Sequence, residues 1–301
     1  MPSADPQQQL PRLGVMFDRD RAPEELTGFA AALEDLGVDE LWVVEDLPWG
    51  GSIASAAAAL GATRRLRVGI GIAPAPLRNP VLLAMELATL ARLFPGRLIA
   101  GVGHGAAELL EAAGALQPAR MALLEETLTA VRALLRGEEV TLKGRTVSLD
   151  GVRLVHPPAV VPPVLAGVVR PRSLELSGRV AEGTVMAEGQ GPQALAAALE
   201  RIDEGRRAAG RDDHHDLVVF THLRVDDDPE QLAAATAPVV AGYADWLGVP
   251  AAEVFLAAGD GAAVAAGIRA LREAGADSVV LRPIGPDPLD QVRRTLAALK
   301  G

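Results

Sequence analysis

Eight short runs of apolar, mostly β-branched residues punctuate the chain, at 13–17, 40–44, 66–72, 97–102, 164–168, 184–187, 217–225 and 278–282. Most are apolar without alternation. A strand with one face in water alternates, whereas a strand covered on both faces reads as continuously apolar, and that is the habit of parallel sheets. Parallel strands require crossovers, and the intervals carry helical patterns. In the first interval Pro23 suits the opening helical position and Glu24 and Glu25 the positive end of the helix. Leu26, Phe29, Ala30, Leu33 and Leu36 then recur at helical spacing until Gly37. Asn79 as cap and Pro80 behind it start another helix, leading into 81–93. Further helices are predicted at 52–62, 119–136, 172–180, 192–209, 229–247, 261–274 and 288–299. Strand and helix thus alternate eight times. The even spacing predicts a closed (β/α)8 TIM barrel with insertions, in preference to an open doubly wound sheet built from the same elements.

Two departures interrupt the alternation. Residues 139–142 and 146–149, joined by Lys143, Gly144 and Arg145, read as a hairpin, and 229–260 holds more helix than one crossover needs. Both are expected as insertions on one barrel domain spanning 1–301, with 1–12 a flexible polar lead-in.

Composition excludes several classes of function. The 39 acidic and 29 basic side chains leave a net charge of −10, and no basic cluster is longer than Arg64 and Arg65 with Arg67. Neither a nucleic-acid partner nor an anionic membrane surface is expected. Cysteine is absent, which removes disulfides, thiolate metal sites and cysteine nucleophiles. No basic segment followed by an apolar one opens the chain, and the apolar stretch 81–94 is broken by Glu86 and Arg92, short of the roughly 18 residues a span needs. A cytoplasmic protein acting on a small molecule is expected.

A TIM barrel keeps its functional groups just beyond the C-terminal ends of its strands. After the second run come Glu45 and Asp46, then Trp49, Gly50 and Gly51. Strand alternation lets only one of the two carboxylates point fully inward. The third run holds Gly69 and Gly71, which could admit a ligand or serve tight packing. The fourth ends Gly101-Val102-Gly103-His104-Gly105-Ala106, where glycines allow close approach and His104 is the one histidine so placed. This stretch also matches G-x-G-x-x-A, but the acid about 20 residues on, Glu125, lies inside a predicted helix rather than at a strand end. After the fifth run, Gly167 and then Pro171, Arg172 and Ser173 open a helix that could hold an anion or be simply capped. Glu188 follows the sixth. His214 and His215 fall before the seventh, on the opposite face, and read as surface; His222 reads as core or lining. No histidine spacing suggests a metal, and G-x-S-x-G and Walker A sequences are absent.

Taken in order, these pieces resemble the luciferase-like monooxygenase superfamily, and within it the members that use the deazaflavin coenzyme F420. The resemblance rests on Leu41-Trp42-Val43-Val44-Glu45-Asp46 with Gly50-Gly51, on Val68-Gly69-Ile70-Gly71-Ile72 before Arg78-Asn79-Pro80, on Pro95-Gly96-Arg97 running into Gly101-Val102-Gly103-His104-Gly105, and on Pro171-Arg172-Ser173 with Ala181-Glu182-Gly183. It implies a TIM barrel with the coenzyme in its mouth and a non-proline cis peptide at Gly71–Ile72, forming a bulge behind the deazaflavin. It also implies coenzyme contacts from Glu45, Asp46, Gly71 and Ile72, from Gly101, Gly103, His104 and Gly105, and from Gly167, Arg172, Ser173 and Glu188. His104 stands where many members carry a carboxylate, so His104, Asp46 or Glu45 is expected to move the proton that accompanies hydride transfer to or from a small organic substrate. FMN with oxygen is the alternative cofactor, a barrel that binds coenzyme without turnover the alternative function, and a homodimer the expected assembly.

Overall fold

The computed structural model describes residues 10–301. β1 (Arg12–Met16) leads through α1 (Leu26–Leu36), β2 (Glu40–Val43), α2 (Ser52–Ala62), β3 (Arg67–Pro74) and α3 (Pro80–Leu93) to β4 (Leu98–Gly103). A short α4 (Ala107–Ala112) and α5 (Arg120–Leu135) precede an antiparallel hairpin, β5 (Val140–Lys143) and β6 (Ser148–Val152). Then come β7 (Val164–Gly167), α6 (Pro171–Val180), β8 (Gly183–Met186), α7 (Pro192–Ala208) and β9 (Asp216–Val225). The chain ends with α8 (Pro229–Leu247), β10 (Ala257–Gly259), α9 (Gly261–Glu273), β11 (Ser278–Pro283) and α10 (Pro288–Lys300).

Eight of these strands form a closed parallel ring, β1-β2-β3-β4-β7-β8-β9-β11, with β11 paired back onto β1 and β8 onto β9. The fold is a (β/α)8 TIM barrel. Its hairpin and its α8–β10 segment are the two insertions the spacing predicted; α4, only six residues long, was not anticipated. Of the expected lead-in, residues 1–9 lie outside the described residues, and Arg12 already belongs to β1.

Two separate apolar cores explain the continuous apolarity of the strands. On β9, Leu217, Val219 and Leu223 pack outward under the helices. Val218 and Phe220 face the barrel axis instead, with Met16, Trp42, Ile99, Leu165, Val185 and Val280. Trp42 fills the axis, fully buried and edge-on to Phe220 at 5.4 Å between ring centroids. Its bulk explains two glycines, since a Cβ at Gly14 or Gly69 would come within 2.9 or 2.3 Å of the indole.

Beneath Trp42 the N-terminal end of the barrel is closed by a buried ionic group. Glu40 is fully buried and accepts hydrogen bonds from Arg12 Nε at 3.1 Å, Arg67 at 3.0 Å, Trp42 Nε1 at 2.9 Å and Ser278 Oγ at 2.8 Å. Each carboxylate oxygen thus has two donors. His215, expected at the surface, is instead half-buried here, with Nε2 2.8 Å from Thr184 Oγ1. His214 is exposed, and the structure brings it together with Asp216 and Asp277. Arg12 already holds Asp216 at 2.8 Å, and the Leu217 N–H donates to Asp277 at 2.9 Å.

At the opposite end β3 is bulged. Its register against β4 shifts between Ile70 and Ala73, and the Gly71–Ile72 peptide is cis, as is Leu47–Pro48.

Candidate functional site

All eight barrel strands deliver a residue to the C-terminal mouth, and the groups form two walls. The first wall is built on the β3 bulge. Ile72 turns inward there, half-buried, against the top of the axial core. A Cβ at Gly167 would lie 2.4 Å from its Cγ2, one at Gly103 2.9 Å from its Cγ1, and one at Gly101 2.2 Å from the Ile70 carbonyl oxygen. The glycines at the ends of β4 and β7 therefore make room for Ile72 and the bulged backbone. Gly105 has φ +71°, a conformation glycine adopts without penalty.

Beside the bulge, His104 is half-buried where the chain leaves β4. Burial, reinforced by the positive charge of Arg120, pulls its pKa down to about 4. Arg120 is itself held by the Gly105 carbonyl at 2.9 Å. At pH 7 it is therefore a neutral imidazole, able to accept a proton.

The two carboxylates after β2 have different fates. Glu45 accepts from Arg78 at 2.8 and 2.9 Å and from Ser52 Oγ at 2.8 Å, with its side chain 9% exposed. Its oxygens tie the starts of α2 and α3 to β2. Asp46 is more open, its side chain 30% exposed, and pairs with Arg19 at 2.7 Å. Arg19 in turn lies 4.4 Å over the ring of Trp49, which is 41% exposed.

Arg172 stands exposed in the first turn of α6, with Pro171 at its start. Ser173 is turned inward and buried, its hydroxyl donating to the Arg170 carbonyl at 2.8 Å.

The second wall was not foreseen as a unit. Asp18 beyond β1, Glu188 beyond β8, His222 on β9 and Arg282 on β11 meet there, under Tyr243 of α8. Arg282 donates to Asp18 at 2.7 Å and to Glu188 at 3.2 Å. Burial would raise the Asp18 carboxyl, but the hydrogen bond and charge of Arg282 outweigh it and hold the pKa below the usual range. Glu188, expected to touch the coenzyme, accepts from Arg282 through one of its oxygens. The periodicity of β9 contained the clue to this wall, because His222 falls in phase with the axial residues Val218 and Phe220.

A closed parallel barrel with functional side chains gathered at its C-terminal mouth defines a TIM-barrel protein of the enzyme-like kind. The sequence then narrows the class: the chain belongs to the luciferase-like monooxygenase family, whose sequence pattern matches residues 7–278. It is 31% identical to an F420-dependent glucose-6-phosphate dehydrogenase from Microbacterium testaceum over 69% of this chain; the chain spans 66% of that relative's length. It is 26% identical to a 5,10-methylenetetrahydromethanopterin reductase from Methanolobus tindarius, over 76% of this chain and 70% of the relative. Among solved structures, the coenzyme F420-dependent tetrahydromethanopterin reductase from Methanopyrus kandleri superposes with a TM-score of 0.83, at 22% identity, covering 96% of this chain and 98% of the other. Among the described residues no helix is long and apolar enough to cross a membrane.

Proposed function

We propose that the protein is a coenzyme F420-dependent oxidoreductase, transferring a hydride between the deazaflavin and a small organic substrate. The observation that carries this reading is the bulged β3, presenting Ile72 as an apolar floor at the mouth beside a neutral, half-buried imidazole. These residues fit a flat, largely apolar ring better than a metal or a phosphate alone. When bound, the coenzyme supplies a hydride donor or acceptor carbon that reacts poorly with oxygen. Ile72 and Gly71 would support the ring, Asp46 and His104 would face its edge, and Arg172 would meet the phosphate side of its tail. His104, neutral at pH 7, accepts the proton a substrate hydroxyl releases as its carbon loses hydride; the reverse direction returns that proton. The likeness to the F420-dependent relatives supports the choice of cofactor. FMN with oxygen is the second reading, favoured by the family's general description. Titration with the two coenzymes side by side separates them.

We also propose a homodimer in which a second copy covers the α3 flank of a single barrel domain. Leu82, Met85 and Leu93 on α3 and the nearby Val155 stand 47%, 52%, 65% and 85% exposed. Light scattering is expected to give twice the mass of the chain, and the charged double variant Met85→Glu, Leu93→Glu a single mass. A wild-type monomer would remove the proposal.

A further inference from the structure

His222 is buried, 5% exposed, and neither ring nitrogen has a hydrogen-bond partner among the described residues. It lies opposite Arg282 in the β9–β11 ladder, and its ring meets Tyr243 edge-on at 5.2 Å. A neutral imidazole carries one donor and one acceptor, and buried polar groups are ordinarily satisfied. The ring is held neutral, since burial brings its pKa down to about 4. Of its companions, Asp18 and Glu188 each accept from Arg282. Apolar cover comes from Phe220 below and from Tyr243 with Trp246, which stack edge-on at 5.9 Å in the inserted α8.

We propose that His222 is a substrate-binding residue, and that the wall of Asp18, Glu188, His222 and Arg282 beneath α8 receives an uncharged hydroxyl or carbonyl compound rather than a phosphorylated one. Resting on the oxidoreductase reading, this assigns its substrate class. The wall's two carboxylates outnumber its single guanidinium, so its net charge is negative. Arg282 gives its Nε–H to Asp18 and one Nη1–H to Glu188, and a phosphate dianion brought there would face two carboxylates at close range. An alcohol or ketone instead matches an imidazole with one donor and one acceptor free, under an aromatic cover. A substrate so held lies between His222 on one wall and the Ile72 floor with His104 on the other.

His222→Leu separates binding from structure. The substitution replaces a buried polar ring lacking partners with an apolar side chain, so the thermal midpoint of the coenzyme-free chain is expected to hold or rise. A marked fall would make His222 a structural residue and overturn the proposal. Fluorescence titration shows whether the variant still binds F420 as the wild type does; failure of the wild type to bind would strike the oxidoreductase reading instead and leave the stability result standing. With F420 bound, bleaching at 420 nm is then followed with propan-2-ol, cyclohexanol and glucose 6-phosphate. Turnover of an uncharged alcohol is expected, with KM raised at least about tenfold in His222→Leu and kcat changed less, as for removal of a binding contact. Preference for glucose 6-phosphate, no reaction with any of the three, or an unchanged KM overturns it.

Discussion

Replacing His104 by Ala is expected to lower kcat by about 100-fold or more, the usual worth of a positioned proton acceptor, while leaving F420 affinity close to that of the wild type. The split follows from geometry. The bulge and its glycine seats lie on β3, β4 and β7 and do not depend on the imidazole. The pH profile provides an independent check. With the pKa at about 4, His104 is protonated only below that value, so the base is present at all higher pH. The acid limb of kcat/KM attributable to it is therefore expected near pH 4, not near the ordinary histidine value of about 6.5. Unchanged turnover in His104→Ala, or an acid limb at 6.5 that vanishes in the variant, would contradict the role given to it.

Replacing Glu40 by Ala should destabilise the barrel by roughly 3–5 kcal/mol, the range for removing one member of a buried ion pair. Four donors lose their acceptor together: Arg12, Arg67, the Trp42 indole and the Ser278 hydroxyl. Two of them, on Trp42 and Ser278, are fully buried and have no water to turn to. The thermal midpoint is expected to fall by roughly 5–8 °C. Glu40→Gln, which keeps the shape and one acceptor oxygen, should lose less. Because Glu40 closes the N-terminal end of the barrel, F420 affinity measured well below the midpoint should be unaffected. Equal stability of Glu40→Ala and the wild type would show that the two arginines are adequately served by solvent and Asp216.

The barrel was legible because both faces of its strands are apolar and because the helix starts are explicitly marked. Asn79 accepts from the Val81 N–H at 2.8 Å with Pro80 behind it, and Gly37 ends α1 at φ +78°. Position relative to strand ends located His104, Asp46 and Gly71–Ile72. What the sequence could not disclose was pairing. Nothing local to Glu45 indicates that Arg78, 33 residues away, will occupy both its oxygens. Nothing local to Ser173 indicates that its hydroxyl will donate to the Arg170 carbonyl. The second wall is assembled from β1, β8, β9, β11 and an inserted helix, so its members share no motif. Each looks ordinary alone, and only closure of the ring brings Asp18 to Arg282 across 264 positions of sequence.

The central claim is that this mouth is built for a deazaflavin. It is tested most directly by titrating the purified protein with oxidised F420 and, separately, with FMN, following quenching of the coenzyme's fluorescence. Micromolar or tighter binding of F420, with FMN markedly weaker, is the expected result. Preference for FMN would make the protein a flavin-dependent monooxygenase, and binding of neither would leave a barrel without coenzyme chemistry; either outcome would contradict the function proposed.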